Sequence, residues 1–291
     1  MDYQWYPGHM TKAKRMMQED IKLVDLVIEL TDARAPMSSR NPDIDELGKN
    51  KSRVILLNKA DLADENQNRR WEAYFRDRKV QAVAVNSRTG AGMKQIQNVI
   101  MTACQEKIER DRRKGIVNRP VRAMVAGIPN VGKSTFINSF AGKASAKTGN
   151  KPGVTRGKQW IRLNKNVELL DTPGILWPKI EDPMVGRRLA ALGSIRDEII
   201  QAEELSLWLL DYIKEQYPGL LSARYWVSEA QDAAALLGEI AQVRGCLKMG
   251  GEPDYEKAAA AVLDDFRSCR IGRITLECLP EEPVTEDRIV E

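Results

Sequence analysis

The sequence predicts an α/β domain over residues 1–178 followed by an all-helical domain over residues 179–291. Three observations predict this. Short apolar runs alternate with helical patterns through the first part, which argues for a sheet covered on both faces. A glycine-rich loop, Gly127-Ile128-Pro129-Asn130-Val131-Gly132-Lys133-Ser134, sits between one such run and a helical pattern. Past residue 178 the strand signals fade and helical periodicity takes over.

The elements follow in order. Leu26–Leu30, Val54–Leu57 and Val80–Val85 are short, apolar and followed by turn or polar residues, as buried parallel strands are. A long helix is expected from Met93 to about Arg113, with Ile96, Val99, Ile100, Ala103 and Cys104 on one face and Gly115 ending it. Val121–Ala126 feeds the glycine-rich loop, and Lys133–Phe140 is the helix after it. Gln159–Leu163 and Val167–Leu170 read as a hairpin turning at Asn164–Asn166. Helices are expected over Glu203–Glu215, Ser228–Val243 and Asp254–Cys269, with an acidic, frayed tail from Pro280.

Composition excludes several classes. The chain has 291 residues, 43% hydrophobic and 30% charged, as a soluble globular protein has. No apolar run reaches the ~18–20 residues of a membrane span. The N-terminus lacks the apolar core of a signal peptide. Cys104, Cys246, Cys269 and Cys278 form no Cys-x-x-Cys pair and read as reduced thiols of a cytoplasmic protein. The net charge of +4 hides an asymmetry. Residues 101–179 carry 16 Lys and Arg against 5 Asp and Glu, and residues 180–291 carry 12 against 22. A middle this basic suggests a polyanion partner.

The chemistry starts from Gly127-x-x-x-x-Gly132-Lys133-Ser134, which matches the phosphate-binding loop in full. Its glycines let backbone N–H groups of the loop, through Asn130, Val131 and Gly132, approach phosphates. The first turn of the next helix, Lys133, Ser134 and Thr135, adds positive potential. Lys133 would reach the β- and γ-phosphates, and the Ser134 hydroxyl would ligate Mg²⁺. Asp171-Thr172-Pro173-Gly174 follows a strand, so Asp171 suits Mg²⁺ and the Gly174 N–H suits a γ-phosphate. Thr155, between the loop and Asp171, is the natural second hydroxyl ligand for Mg²⁺.

Asn58-Lys59-Ala60-Asp61 selects guanine. Asp61 can accept from both N1–H and the exocyclic amine, whereas adenine would leave the carboxylate unpaired. Asn58 can bridge the base edge and the phosphate loop, and the Lys59 stem can cover the ring. Asn86-Ser87-Arg88 follows the next strand, with the Ser87 N–H expected near the guanine carbonyl oxygen.

In ordinary GTPases the phosphate loop precedes the guanine motif. Here the order is reversed, so the chain resembles the circularly permuted P-loop GTPases. Trp5-Tyr6-Pro7-Gly8-His9-Met10 and Asp32-Ala33-Arg34-Ala35-Pro36 resemble the bacterial ribosome biogenesis GTPase A family in particular. The match covers residues 1–178; the helical tail agrees in length and character only.

That resemblance implies a cytoplasmic GTP/GDP switch, and a monomer is expected. It would act late in assembly of the large ribosomal subunit, on its precursor, rRNA and ribosomal proteins, with hydrolysis linked to release. A protein partner for the acidic helical domain is the alternative. Permutation places the γ-phosphate sensor directly before the helices, so movement there is tethered to them. The water-orienting Gln of Ras-like proteins is replaced by Ile175, which implies a low intrinsic rate and stimulation by the ribosome. His9, the only histidine, is the candidate to act on water. In related GTPases an Asn at the position of Asn130 helps bind K⁺, which would supply the charge of an arginine finger.

Overall fold

The computed structural model describes residues 15–116, 119–141, 160–162, 165–170, 180, 182–195 and 201–279. His9, Thr155, Asp171, Gly174, Ile175 and the tail from Pro280 lie outside the described residues.

Among the described residues six strands form one sheet: β1 (Leu26–Asp32), β2 (Ser52–Asn58), β3 (Gln81–Val85), β4 (Val121–Gly127), β5 (Trp160–Arg162) and β6 (Val167–Leu170). Their order in space is β3-β2-β1-β4-β6-β5. All neighbours are parallel except the β5/β6 hairpin. Strand alternation explains the apolar runs. Leu26, Ile28, Leu30, Val54 and Leu56 face one buried cluster, while Val27, Ile55 and Leu57 face two others behind the sheet. Both faces are covered, so the strands are continuously apolar rather than half polar.

The helices of the sheet region include α1 (Asp43–Leu47), α2 (Glu65–Asp77), α3 (Met93–Ala103), α4 (Gln105–Arg113) and α5 (Lys133–Phe140), besides the helical residues 15–21. Asp64 caps α2 by accepting from the Asn66 and Gln67 N–H groups. The single helix expected over 93–113 is two. Cys104 leaves helical geometry at φ −103° and ψ 9°. Ile96 and Ile100 anchor α3, whereas α4 buries no residue fully. Lys107 instead directs α4, pairing with Asp25 and Asp111 at 3.1 Å each.

Among the described residues, helices α6 (Pro183–Ala191), α7 (Ala202–Gln216), α8 (Leu220–Tyr225), α9 (Ala233–Val243) and α10 (Tyr255–Arg267) follow. The helix expected from Ser228 starts five residues later, because the Asp232 carboxylate caps the Ala235 N–H at 2.8 Å. One apolar cluster runs from β1 and β2 through Phe136 to Leu189, Leu205, Leu237 and Phe266.

The segment after α10 crosses back to the sheet region. The Leu276 N–H donates to Arg34 O (2.6 Å) and the Ile274 N–H to Leu62 O (3.2 Å). The Glu277 carboxylate, 7% exposed, accepts from the Met37 and Ser38 N–H groups and pairs with Arg188 at 3.1 Å. Trp71 Nε1 donates to Glu277 O at 2.8 Å. A buried charge so fully bonded fixes geometry rather than adding much net stability.

Candidate guanine-nucleotide site

The carboxyl ends of β1, β2, β3 and β4 lie along one sheet edge. Register places Asp32 beside Asn58, Asn58 beside Val85, and Leu30 beside Gly127. The loops leaving these ends therefore converge, and ligands of open α/β sheets bind at this edge. The guanine motif and the phosphate loop, about seventy residues apart in the chain, meet here.

Asn58 joins them. Its Nδ2 donates to Val131 O at 2.8 Å, and its Oδ1 accepts from the Ser87 N–H (3.0 Å) and Ser87 hydroxyl (2.7 Å). One amide thus ties three loops, and it is buried. The Ser87 N–H, expected at the guanine carbonyl oxygen, is committed to Asn58 instead. Ser87 lines the pocket and orients that amide. Asn86 shapes the same loop, its Oδ1 accepting from the Arg88 and Thr89 N–H groups at 2.8 and 3.0 Å.

Lys59 adopts the left-handed region at φ 58°. That turn sends its ammonium across to Asn130 O (2.8 Å) and to Asp32 Oδ2 (3.0 Å). Burial alone would raise the Asp32 carboxyl. The Arg34 guanidinium and the Lys59 ammonium overcome this and hold it well below the ordinary carboxylate range. Arg34 grips Asp32 through two bonds of 2.9 and 2.8 Å and is itself fully buried. Asp61, exposed, follows in a single 3₁₀ turn, Ala60–Leu62, and faces the cavity.

The phosphate loop has the required local geometry. Asn130 (φ 61°) and Gly132 (φ 95°) both take left-handed conformations, and α5 starts at Lys133. Val131 is buried beneath the loop, Lys133 is half-buried, and Ser134 and Thr135 are exposed. A Cβ on Gly132 would meet Asn58 Nδ2 at 2.5 Å. Gly132→Ala is therefore expected to push the Asn58 amide off Val131 and weaken GDP binding at least about tenfold, with the fold retained. Titration with a fluorescent GDP checks this, and an unchanged affinity contradicts it.

The resulting cavity, about 400 Å³, is lined by Asn58, Lys59, Asp61, Asn86 and Ser87 on the guanine side. Gly132 and Thr135 line the phosphate side. Leu192, Arg267 and Ser268 also line it. None of these three carries a sequence motif, and only the tertiary contacts reveal them. Asn130 Nδ2 donates to Gly193 O at 2.7 Å, a bond the sequence also did not signal. Of the oxygen donors expected for Mg²⁺, Ser134 is the one among the described residues. Its exposed hydroxyl at the start of α5 fits a hard cation bound with phosphates.

Comparison with known proteins agrees with this geometry. A family model described as "50S ribosome-binding GTPase" matches residues 122–237. The ribosome biogenesis GTPase A of Bacillus cereus is 47% identical over 283 residues, covering 97% of this chain and 95% of that protein. Its namesake from Thermotoga maritima is 33% identical, covering 98% of each. Two solved structures of YlqF resemble the fold. The GDP-bound form has a TM-score of 0.67 at 27% identity, covering 91% of this chain and 99% of that one. The GNP-bound form, from Thermotoga maritima, has a TM-score of 0.65 at 28% identity, covering 92% and 98%. With the reversed motif order brought to one sheet edge and relatives matched along nearly the whole chain, the protein is a circularly permuted P-loop GTPase and belongs to the ribosome biogenesis GTPase A family.

Proposed function

We propose that the chain is a GTP-hydrolysing switch that binds the precursor of the large ribosomal subunit, acts late in its assembly, and leaves on hydrolysis. The observation that carries the nucleotide half is Asn58, whose one buried amide holds the guanine reader, the Ser87 loop and the phosphate loop together. The ribosomal half is supported by the names of the relatives and by a basic surface. Arg110, Arg112, Arg113, Lys114, Arg119 and Arg122 are exposed around the end of α4 and the start of β4. These lie at the strand-start end of the sheet, about 20 Å from the nucleotide edge. Polyanion and nucleotide would then be bound without competing.

Within this reading Ser134, with Thr155 and Asp171, would hold Mg²⁺, which would supply charge neutralisation at the β- and γ-phosphates. Lys133 adds its own charge there. Gly174 senses the γ-phosphate, and His9 acts on water in place of the Gln that Ile175 displaces. The Asn130 Oδ1 is the oxygen that would face K⁺, since its Nδ2 is spent on Gly193. The intrinsic rate is low and the ribosome raises it.

The acidic balance of residues 180–291 favours a second reading, in which the helices dock a basic ribosomal protein rather than rRNA. Binding of the full chain to protein-free large-subunit rRNA, across a salt series, separates the two. The first reading expects affinity that falls steeply with salt. No binding to naked rRNA, with binding to the intact particle, supports the second.

A further inference from the structure

The nucleotide cavity is not built from the GTPase motifs alone. The turn after α6 contributes Leu192, and the end of α10 contributes Arg267 and Ser268. These line the same cavity as Lys59 and Asp61, the residues proposed to read the base. Both segments belong to the helical part of the chain, far from either motif in sequence.

Two struts hold this wall against the nucleotide loops. In the first, Asn130 of the phosphate loop donates to Gly193 O at 2.7 Å, one residue past Leu192. In the second, Lys59 pairs with Asp32 at 3.0 Å, Asp32 with Arg34 at 2.8 Å, and Arg34 donates to Arg267 O at 3.4 Å. The Arg34 guanidinium also lies 5.3 Å over the Phe266 ring. The wall is internally tied, because Arg267 donates to Ala190 O (2.9 Å) and Ala191 O (3.0 Å). The carbonyls at the end of α6 are thus capped by the end of α10.

We propose that the turn after α6 and the end of α10 form a third wall of the guanine-nucleotide pocket and gate nucleotide release from the base side. This rests on the GTPase reading. The Lys59 strut ends beside the base, and the Asn130 strut runs from that residue's side-chain amide at the turn of the phosphate loop. The base that the Lys59 strut faces is common to GDP and GTP. The wall therefore responds to occupancy, and it does not distinguish the two nucleotides. A nucleotide leaving the pocket must loosen the wall, and a macromolecule that draws the helices away speeds release and weakens nucleotide affinity. By linkage, the nucleotide weakens the binding of that macromolecule by the same factor. The coupling adds to the γ-phosphate sensor and runs through different residues.

The test uses the full chain loaded with a ribose-tagged fluorescent GDP and chased with excess GDP. Leu192→Ala, which trims the wall without touching a motif, should release GDP about fivefold faster, the size expected for one lost apolar contact. The non-hydrolysable GTP analogue should leave faster by the same factor. Amide hydrogen exchange on the unsubstituted chain gives an independent readout. Residues 190–195 and 266–270 should be protected by GDP relative to the nucleotide-free chain, and equally by the analogue. Tight GDP binding with an unaltered off-rate in folded Leu192→Ala overturns the proposal. So does protection by the analogue alone, which would route the coupling through the γ-phosphate. Failure to bind any guanine nucleotide would instead remove the GTPase reading and the proposal with it.

Discussion

Asp61→Asn should turn the site from guanine to xanthine. The Asp61 carboxylate only accepts, and guanine offers two donors on one edge, N1–H and the exocyclic amine. An asparagine accepts from N1–H through its oxygen but presents its own N–H to the amine, so two donors face each other. Each unmet polar group costs about 1–3 kcal/mol. Asp61 is exposed, so water relieves part of this. A loss of GTP affinity on the order of a hundredfold follows. Xanthine carries a carbonyl where guanine carries the amine, and the asparagine N–H matches it. XDP and XTP should therefore gain what GDP and GTP lose. Competition of the four nucleotides against fluorescent GDP measures this. GTP affinity unchanged in the variant would mean that Asp61 does not read the base.

Lys133→Ala should nearly abolish turnover. Lys133 is the first residue of α5, beside the left-handed Gly132 that turns the loop into the helix. Its ammonium belongs where β- and γ-phosphate charge accumulates, and charge-assisted bonds of this kind contribute about 1.5–3 kcal/mol each. Removing it should weaken nucleotide affinity about ten- to a hundredfold. Hydrolysis should slow further, on the order of a hundredfold or more, because charge stabilisation is needed most in the transition state. Alanine is a good helix former at this position, so the melting temperature without nucleotide should hold. Phosphate release under saturating GTP is the readout, and turnover at the unsubstituted rate would overturn the assignment of this loop.

Much of this architecture is legible in the sequence because it is local. The strands β1, β2 and β4 are buried on both faces, so apolar runs mark them without ambiguity. Helix α5 was readable to the residue because Gly132 turns the chain at φ 95° immediately before it. The motifs were readable because phosphate and guanine recognition need particular residue types at fixed spacing. Other features were not. The break at Cys104 goes with Lys107 pairing with Asp25, a residue distant in sequence that lies just before β1. The start of α9 depends on the Asp232 carboxylate accepting from the Ala235 N–H, which the helix expected from Ser228 did not take into account. The fully buried Arg34 and its partner Asp32 sit in a motif that the sequence displays, but its other partners, Phe266 and the Arg267 carbonyl, meet it only once the helices return. Leu192, Arg267 and Ser268 carry no signature at all, since lining a pocket by position alone places no demand on residue type.

The tie between helices and sheet also bears on how the protein can be dissected. Deleting residues 180–291 looks attractive from the domain pattern. The apolar cluster, however, continues from Leu30 and Phe136 into Leu189, Leu209 and Phe266, all 0–2% exposed. Truncation would uncover that cluster and strip Arg34 of Phe266 and its carbonyl partner, at a cost of several kcal/mol. Substitutions within the full chain are the better instruments.

The switch itself is tested most directly by the affinity of the full chain for the large-subunit precursor in three states: with a non-hydrolysable GTP analogue, with GDP, and free of nucleotide. The expected result is binding about tenfold tighter with the analogue than with GDP, within the ordinary range of coupling between two sites. The particle must then tighten the analogue relative to GDP by the same factor. Equal affinity in all three states would contradict a nucleotide-driven switch, even if the protein hydrolyses GTP.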